Sequence, residues 1–107
     1  MSRSWKASEL AIARLLGGER VPVNGRVRGS APDVLHPWLS IEVKAWKAGM
    51  PKSVVNAIDQ AEKSAAWSQR KEGKAKLPIA VIHHDHQDHH NDLVVMRLGQ
   101  FMEHFGT

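Results

Sequence analysis

The longest regular pattern in the chain lies between Pro51 and Gly73. One face of this stretch carries apolar residues at helical spacing, which are Val54, Ile58, Ala61 and Ala65. Proline is favoured in the first turn of a helix and glycine just after its end, so the stretch predicts a helix over residues 51–72. A helix of this length must bury its apolar face against other elements, and this requirement constrains the fold more than any other feature of the sequence.

Shorter patterns before and after the long helix predict the elements that cover it. The predicted elements are a helix over 5–16, strands over 20–23, 32–35 and 39–45, then, after the long helix, strands over 77–82 and 92–98 and a helical turn over 100–105. The unbroken apolar run 77–82 is typical of a strand covered on both faces. The order α-β-β-β-α-β-β favours a single α/β layer structure.

The size of the chain sets the expected number of domains. Its 107 residues, of which 42% are hydrophobic, suffice for one modest core, so residues 1–107 are expected to form a single domain. The chain has no cysteine, which excludes a disulfide scaffold, a cysteine-ligated metal site and a thiol nucleophile. No apolar run approaches about 20 residues and no apolar segment follows the basic N-terminus, so we expect a cytoplasmic protein with no membrane partner.

Positive charge is concentrated at the start of the chain. Residues 1–30 carry six arginines and lysines against two acidic residues, while the remainder of the chain is balanced. The six are Arg3, Lys6, Arg14, Arg20, Arg26 and Arg28. Either this part of the chain faces a polyanion, or its charges serve solubility.

A tight turn at residues 37–38 connects two predicted strands and sets their register. Folding the chain at this turn places Val34 opposite Ile41 and Asp33 opposite Glu42. Directly opposed residues have Cβ atoms about 4.5 to 5.5 Å apart, and two like charges there are destabilising unless a cation lies between them. The hairpin therefore predicts a pair of carboxylates that favours a cation.

Lys44 is expected on the same face as Glu42, because side chains alternate along a strand. Two carboxylates are hard oxygen ligands of the kind that Mg²⁺ or Mn²⁺ takes, with water and phosphate oxygens in the remaining positions. A neighbouring lysine can orient or deprotonate a metal-bound water, or neutralise a reacting phosphate. The pattern predicts metal-assisted phosphodiester hydrolysis; the alternative is a surface hairpin whose charges are solvated.

Pro32-Asp33, followed after eight residues by Glu42-Val43-Lys44, resembles the PD-(D/E)XK motif of the restriction-endonuclease-like nuclease superfamily. The preceding segments, with Leu16-Gly17-Gly18 and Arg20-Val21-Pro22, resemble small phage-encoded and archaeal-type Holliday junction resolvases. The resemblance covers most of residues 5–98. It implies a restriction-endonuclease-like core, with a mixed central sheet and flanking helices, and an Mg²⁺-dependent endodeoxyribonuclease for which Mn²⁺ substitutes. It also implies branched or duplex DNA as the partner, and host cytoplasm as the site of action of a phage-encoded enzyme.

The resemblance assigns roles to individual residues. The metal ligands that it implies are Glu9, Asp33, Glu42 and the Val43 carbonyl. Lys44 would assist the attacking water, and cleavage would leave a 5′-phosphate and a 3′-hydroxyl. Gln60, on the long helix, carries over as a further catalytic residue, although a glutamine on the surface of a helix is equally ordinary.

Helical geometry supports Glu9 independently of the resemblance. Glu9 lies on one helix face with Trp5 and Leu16, so a charge interrupts an apolar stripe. A buried carboxylate needs a partner, and a metal shared with the hairpin would supply one. In the alternative, the helix is rotated to bury Leu10 and Ala13 and leaves Glu9 at the solvated edge.

Basic residues near the acidic hairpin and at the N-terminus are expected to bind DNA phosphates. They are Arg3, Lys6, Arg26, Arg28, Lys47 and Lys52. Trp46 is expected to stack against a base, with packing under the long helix as the alternative.

The segment 83–90 contains five histidines and two aspartates. Such a segment can bind Zn²⁺ or Ni²⁺ adventitiously. Because it lies between two apolar strands and lacks a regular ligand spacing, we expect a polar hairpin loop with no part in catalysis.

Resolution of a four-way junction requires two coordinated cuts, which a twofold-symmetric homodimer matches. The apolar residues expected at its interface, or in the core, are Leu93, Val95, Leu98, Phe101, Met102 and Phe105. Two other functions remain open, a less selective DNA nuclease of the same superfamily and a non-catalytic DNA-binding module.

Overall fold

The computed structural model describes residues 5–21 and 32–106. The helices and strands are α1 (Trp5–Leu16), β1 (Glu19–Arg20), β2 (Val34–Leu35), α2 (Lys52–Glu72), β3 (Ala80–Ile82), β4 (Leu93–Val95) and α3 (Leu98–Phe105). They confirm the mixed α/β class. The described strands pair in two separate antiparallel sheets, β1 with β2 and β3 with β4, rather than in the single mixed sheet that the resemblance implies. The chain divides into two compact units, residues 1–48 (unit 1) and residues 49–107 (unit 2).

The first helix of unit 1 ends at two consecutive glycines. Gly17 adopts a left-handed backbone with φ +71°, and the Gly18 N–H donates to the Ala13 carbonyl at 2.8 Å. The chain then passes close to β2: a Cβ atom on Gly18 would lie 2.5 Å from the Leu35 carbonyl oxygen and 2.6 Å from Cγ1 of Val34. The first glycine thus permits the turn, and the second permits the close approach of α1 to β2.

The middle strand of unit 1 is β2. On one side it pairs with β1 through Arg20 and Val34, and on the other side Val34 forms an antiparallel bridge with Ile41. The predicted register of Val34 opposite Ile41 is confirmed. The strand predicted over 39–45 is wrong, because Ile41 forms an isolated bridge and the residues from Lys44 to Met50 are exposed.

The buried residues of unit 1 lie where α1 packs against β1 and β2. They are Glu9, Ala13, Leu16, Asp33 and Val34. The predicted helix over 5–16 is confirmed, and its buried face includes Glu9. Leu10 is exposed, so the alternative that buries Leu10 and leaves Glu9 in solvent is wrong. The strand predicted over 20–23 is observed at Glu19–Arg20, and residues 22 and 23 lie outside the described part of the chain.

The long helix of unit 2 has the predicted extent, with Pro51 at its N-cap position and Gly73 after its end at φ 69°. On the helix face that carries the apolar stripe, Ile58 and Ser68 are buried and Val54, Ala61 and Ala65 are half-buried. Because β3 packs against this helix in a sheet of two strands, Ala80 is buried and Val81 is 57% exposed. The expectation that the run 77–82 forms a strand covered on both faces is therefore wrong.

The C-terminal part of unit 2 turns from strand to helix earlier than predicted. β4 ends at Val95, not at residue 98, and α3 extends over eight residues instead of a single turn. Arg97, which precedes α3, donates to Glu62 at 3.2 Å and to Asp59 at 3.0 Å, and these ion pairs connect it to α2. None of the described helices is long and apolar enough to cross a membrane.

Candidate functional site

Three hydrogen bonds hold Asp33 in place. Its N–H donates to the Ile41 carbonyl at 3.0 Å, and its carbonyl accepts from the Val21 N–H at 3.0 Å. Its side-chain Oδ2 accepts from the Val43 N–H at 2.6 Å. Because Asp33 is buried and bonded to the chain on both sides, its carboxylate has a position defined by the backbone of its neighbours.

Glu42 and Lys44 lie on the exposed face of the segment that follows the turn. Glu42 and Lys44 are exposed while Ile41 and Val43 are half-buried, so the predicted alternation holds over these four residues. Asp33 and Glu42 each lie one residue beyond the Val34 and Ile41 bridge, with Asp33 buried and Glu42 exposed. The structure thus brings the two predicted hairpin carboxylates to one end of the hairpin.

Glu9 is 3% exposed, and its partner is a cation from β1. The Arg20 Nε donates to Glu9 Oε1 at 3.0 Å, and the Arg20 side chain is itself largely buried. A buried carboxylate is stabilised when a guanidinium replaces the water that it loses. Sequence analysis placed Arg20 in the basic N-terminal third and missed this role; the available signal was that Arg20 begins the strand that directly follows the helix of Glu9.

The oxygens of Glu9, Asp33 and Glu42 do not converge to within 4.8 Å of one another in the described structure. A divalent cation would therefore be held by fewer protein groups than the resemblance implies. Asp33, Glu42 and the Val43 carbonyl form a set of hard oxygen donors, and Mg²⁺ in proteins commonly takes one or two carboxylates with water and phosphate oxygens. The donor set of the hairpin fits Mg²⁺.

His36 ties the hairpin turn to the end of α1. Its Nε2–H donates to the Leu16 carbonyl at 2.9 Å, and its Nδ1 accepts from the Trp38 N–H at 3.3 Å. A carbonyl only accepts and an amide N–H only donates, so these two partners define the neutral Nε2–H tautomer. Sequence analysis missed this residue, and its position directly after β2 was the only signal.

The predicted DNA-binding residues lie at the surface where the structure describes them. Lys6, Lys47 and Lys52 are exposed, and Trp46 is 59% exposed. The remaining predicted residues, Arg3, Arg26 and Arg28, lie outside the described residues.

Two further sets of predicted residues belong to unit 2. Gln60 is exposed on α2. Of the apolar residues predicted at a dimer interface, Leu93 and Phe105 are exposed. The others are half-buried, and they are Val95, Leu98, Phe101 and Met102.

The polar loop between β3 and β4 forms an ordered cluster. Asp92 accepts hydrogen bonds from His83 Nδ1 at 2.7 Å and from His89 Nδ1 at 2.9 Å. The hydrogen bond from His89, followed by that from His83, holds the pKa of Asp92 below its usual value. His83, His89 and Asp92 are side chains of types that can ligate a metal, and within the described ranges they form the group whose ligand atoms lie within 4.8 Å of one another.

Comparison of the chain with protein-family models, curated proteins and solved structures gives no match. Any functional conclusion therefore depends on the residues and geometry described above.

Proposed function

We propose that this protein is a metal-dependent DNA endonuclease whose active site is the acidic hairpin of unit 1. The observation that carries the proposal is the bridge between Val34 and Ile41, because Asp33 and Glu42 each lie one residue beyond it, at the same end of the hairpin. The resemblance adds a restriction-endonuclease-like core and a four-way DNA junction as the substrate.

The residue types at this end of the hairpin favour a bound cation. Asp33 and Glu42 each lie one residue beyond the Val34 and Ile41 bridge. Two carboxylates close to one another repel unless a cation lies between them. A divalent cation held by Asp33 and Glu42 would offset that repulsion.

The hairpin residues have distinct roles in the proposal. Asp33, Glu42 and the Val43 carbonyl would hold Mg²⁺ or Mn²⁺, which when bound supplies an acidified water and neutralises charge on the phosphate. Lys44, exposed on the same side as Glu42, orients the attacking water and stabilises negative charge on the reacting phosphate. The ion pair of Glu9 with Arg20 favours a role for Glu9 in fixing α1 against β1 rather than in direct ligation.

The proposal extends to partners. Lys6, Trp46 and Lys47 are exposed in unit 1, and the proposal assigns them to contacts with DNA. Paired cuts in a four-way junction need two active sites, and the exposed Phe105 on α3 makes this helix the proposed contact between two copies of the chain.

The test is cleavage of end-labelled four-way junction, duplex and single-stranded DNA, each with and without Mg²⁺. We expect Asp33→Asn and Glu42→Gln to lower the cleavage rate at least about 100-fold, with a smaller loss for Lys44→Ala. Asparagine keeps an oxygen for the Val43 N–H, so the Asp33 variant is expected to remain folded. Sedimentation of the wild-type chain reports whether a dimer forms.

Matched controls are exposed residues of the same types in unit 2. Glu103→Gln and Lys74→Ala are expected to leave the rate unchanged. A folded Asp33→Asn variant that cleaves at the wild-type rate contradicts the proposed site. DNA binding without cleavage in any metal contradicts the enzyme and favours the non-catalytic module, and equal cleavage of all three substrates favours a less selective nuclease.

A further inference from the structure

The β3–β4 hairpin brings the two ends of the histidine-rich loop together. Ile82 pairs with Leu93 in the antiparallel ladder, so His83 and Asp92 are the next opposed residues. A 3₁₀ turn over His89–Asn91 then folds the chain so that the His89 side chain reaches Asp92, three residues later. Residues that are far apart in the loop are thus adjacent in space because of the strand register.

Three side chains converge at this point. The Asp92 carboxylate lies 2.7 Å from Nδ1 of His83 and 2.9 Å from Nδ1 of His89. The two imidazole rings stack with centroids 4.2 Å apart and an angle of 27° between their planes. The Asp92 side chain is only 7% exposed, and Gln87 Nε2 lies 3.4 Å from its Oδ1. The cluster is therefore joined by hydrogen bonds around a largely buried carboxylate, while the His83 and His89 side chains are 34% and 80% exposed.

We propose that His83, His89 and Asp92 form a binding site for a divalent transition metal, with Zn²⁺ as the representative ion. Two imidazole nitrogens and one carboxylate oxygen are a donor set that Zn²⁺ takes, with a fourth position for water. Mg²⁺ prefers oxygen ligands, so this site is separate from the hairpin of unit 1 and does not depend on the proposed nuclease activity.

Ligation requires only small movements. Tetrahedral coordination with Zn–N and Zn–O distances of about 2.0 to 2.2 Å separates neighbouring donor atoms by about 3.4 Å. His83 Nδ1 faces Asp92 Oδ1 at 2.7 Å and His89 Nδ1 faces Oδ2 at 2.9 Å, so with either oxygen as the ligand the distance to the ring that faces it would open by about 0.7 or 0.5 Å. Each Nδ1 hydrogen is lost to water while Nε2 of the same ring takes one up, so the rings bind as the other neutral tautomer without a net change in protons.

The other histidines of the loop do not share this arrangement. His90 is 97% exposed in its side chain and pairs with Asp88 at 3.1 Å. All five histidines of the loop are exposed, but His84 and His86 do not belong to the converging group. Histidines outside the proposed site can therefore be substituted as a control for His83 and His89 in the same loop.

A metal here would close the loop of unit 2. The buried apolar residues of this unit in the described ranges are Ile58, Pro78 and Ala80, a small core for a segment of this length. Small domains with limited cores are commonly stabilised by a structural metal. Because His83 and Asp92 directly continue the β3 and β4 pairing, a metal that joins them would stabilise the hairpin.

The test is titration of the full chain with ZnCl₂ by calorimetry, with CoCl₂ as a spectroscopic probe of coordination. We expect one Zn²⁺ per chain, tetrahedral Co²⁺ absorption and a rise in Tm on Zn²⁺ addition. His83→Gln with His89→Gln should weaken Zn²⁺ binding at least about 30-fold and abolish the rise in Tm. The matched pair, His84→Gln with His90→Gln, removes the same number of imidazoles and should change binding less than about threefold.

A third variant guards against loss of folding in the first pair. Asp92→Asn keeps an oxygen that accepts from the histidines but removes the charged ligand, and it should weaken Zn²⁺ binding at least about tenfold. An equal loss in both histidine pairs identifies adventitious binding by a histidine-rich segment and overturns the proposal. So does the absence of Zn²⁺ binding, or an unchanged affinity in the folded Asp92→Asn variant.

Discussion

The two units of the chain differ in the burial of their ion pairs between basic and acidic side chains. Unit 1 buries Glu9 and Asp33 among its core residues, and Arg20 enters with Glu9 as an ion pair. In unit 2 the described ion pairs of arginine and lysine lie at the surface, as between Arg97 and Glu62, and the largely buried Asp92 side chain accepts from histidines instead. Buried charges are costly when their partner is removed, whereas exposed pairs exchange readily for water. Substitutions of the same kind should therefore have much larger effects in unit 1 than in unit 2.

The largest expected effect is that of removing the partner of a buried carboxylate. Arg20→Ala should lower the free energy of unfolding by about 2 to 4 kcal/mol, since the Glu9 carboxylate stays buried without the guanidinium. The measurement is urea denaturation followed by tryptophan fluorescence. Arg20→Lys keeps the charge and should lose less.

The matched control in unit 2 is Lys76→Ala, which removes an exposed pair with Glu72. Its effect should be below about 0.5 kcal/mol. Equal losses in the Arg20 and Lys76 variants would show that the two units do not differ in the way that burial indicates.

A second prediction compares the same substitution in both units. Gly18→Ala should lower the free energy of unfolding by about 1 to 3 kcal/mol, because the new Cβ meets the Leu35 carbonyl oxygen and Val34. Gly99→Ala lies in α3 with no atom within 4 Å of its Cβ, and should raise stability by up to about 1 kcal/mol. Thermal unfolding of both variants checks the difference in sign, and a stable Gly18→Ala variant would contradict the close approach of α1 to β2.

The smallest expected effect is at the surface of unit 2. Glu62, followed by Asp59, raises the pKa of Arg97, but all three side chains are substantially exposed. Arg97→Ala should lower Tm less than Arg20→Ala does, and the difference from wild type should vanish in about 1 M salt because exposed pairs are screened. A loss of Tm that persists at high salt would indicate that Arg97 stabilises α3 through packing.

The elements predicted most accurately from the sequence are the helices whose ends are marked by glycine or proline. α1 and α2 have the predicted extents because two glycines follow the first helix, while Pro51 and Gly73 bound the second. The register at Val34 and Ile41 followed from a tight turn, which leaves the chain few ways to pair. Local chemistry was sufficient in these cases.

Other features depended on partners that are distant in sequence. The burial of Glu9 followed from helical periodicity, but its ion pair with Arg20 required the position of β1 relative to α1. Val81 was misassigned because an apolar run does not reveal how many faces its neighbours cover. The cluster at Asp92 arises from the pairing of β3 with β4, and its irregular spacing in sequence, at His83 and His89, concealed it.

The three hydrogen bonds at Asp33 have a consequence for recognition. A carboxylate on a flexible surface segment loses rotational freedom each time that it engages a ligand, and this entropy opposes binding. Asp33 loses that freedom once, when Val21, Ile41 and Val43 fix its backbone and its side chain during folding. In the proposed nuclease site, a metal ion would meet a carboxylate that is already oriented, so the folded chain and not the ligand would set the selectivity of this position.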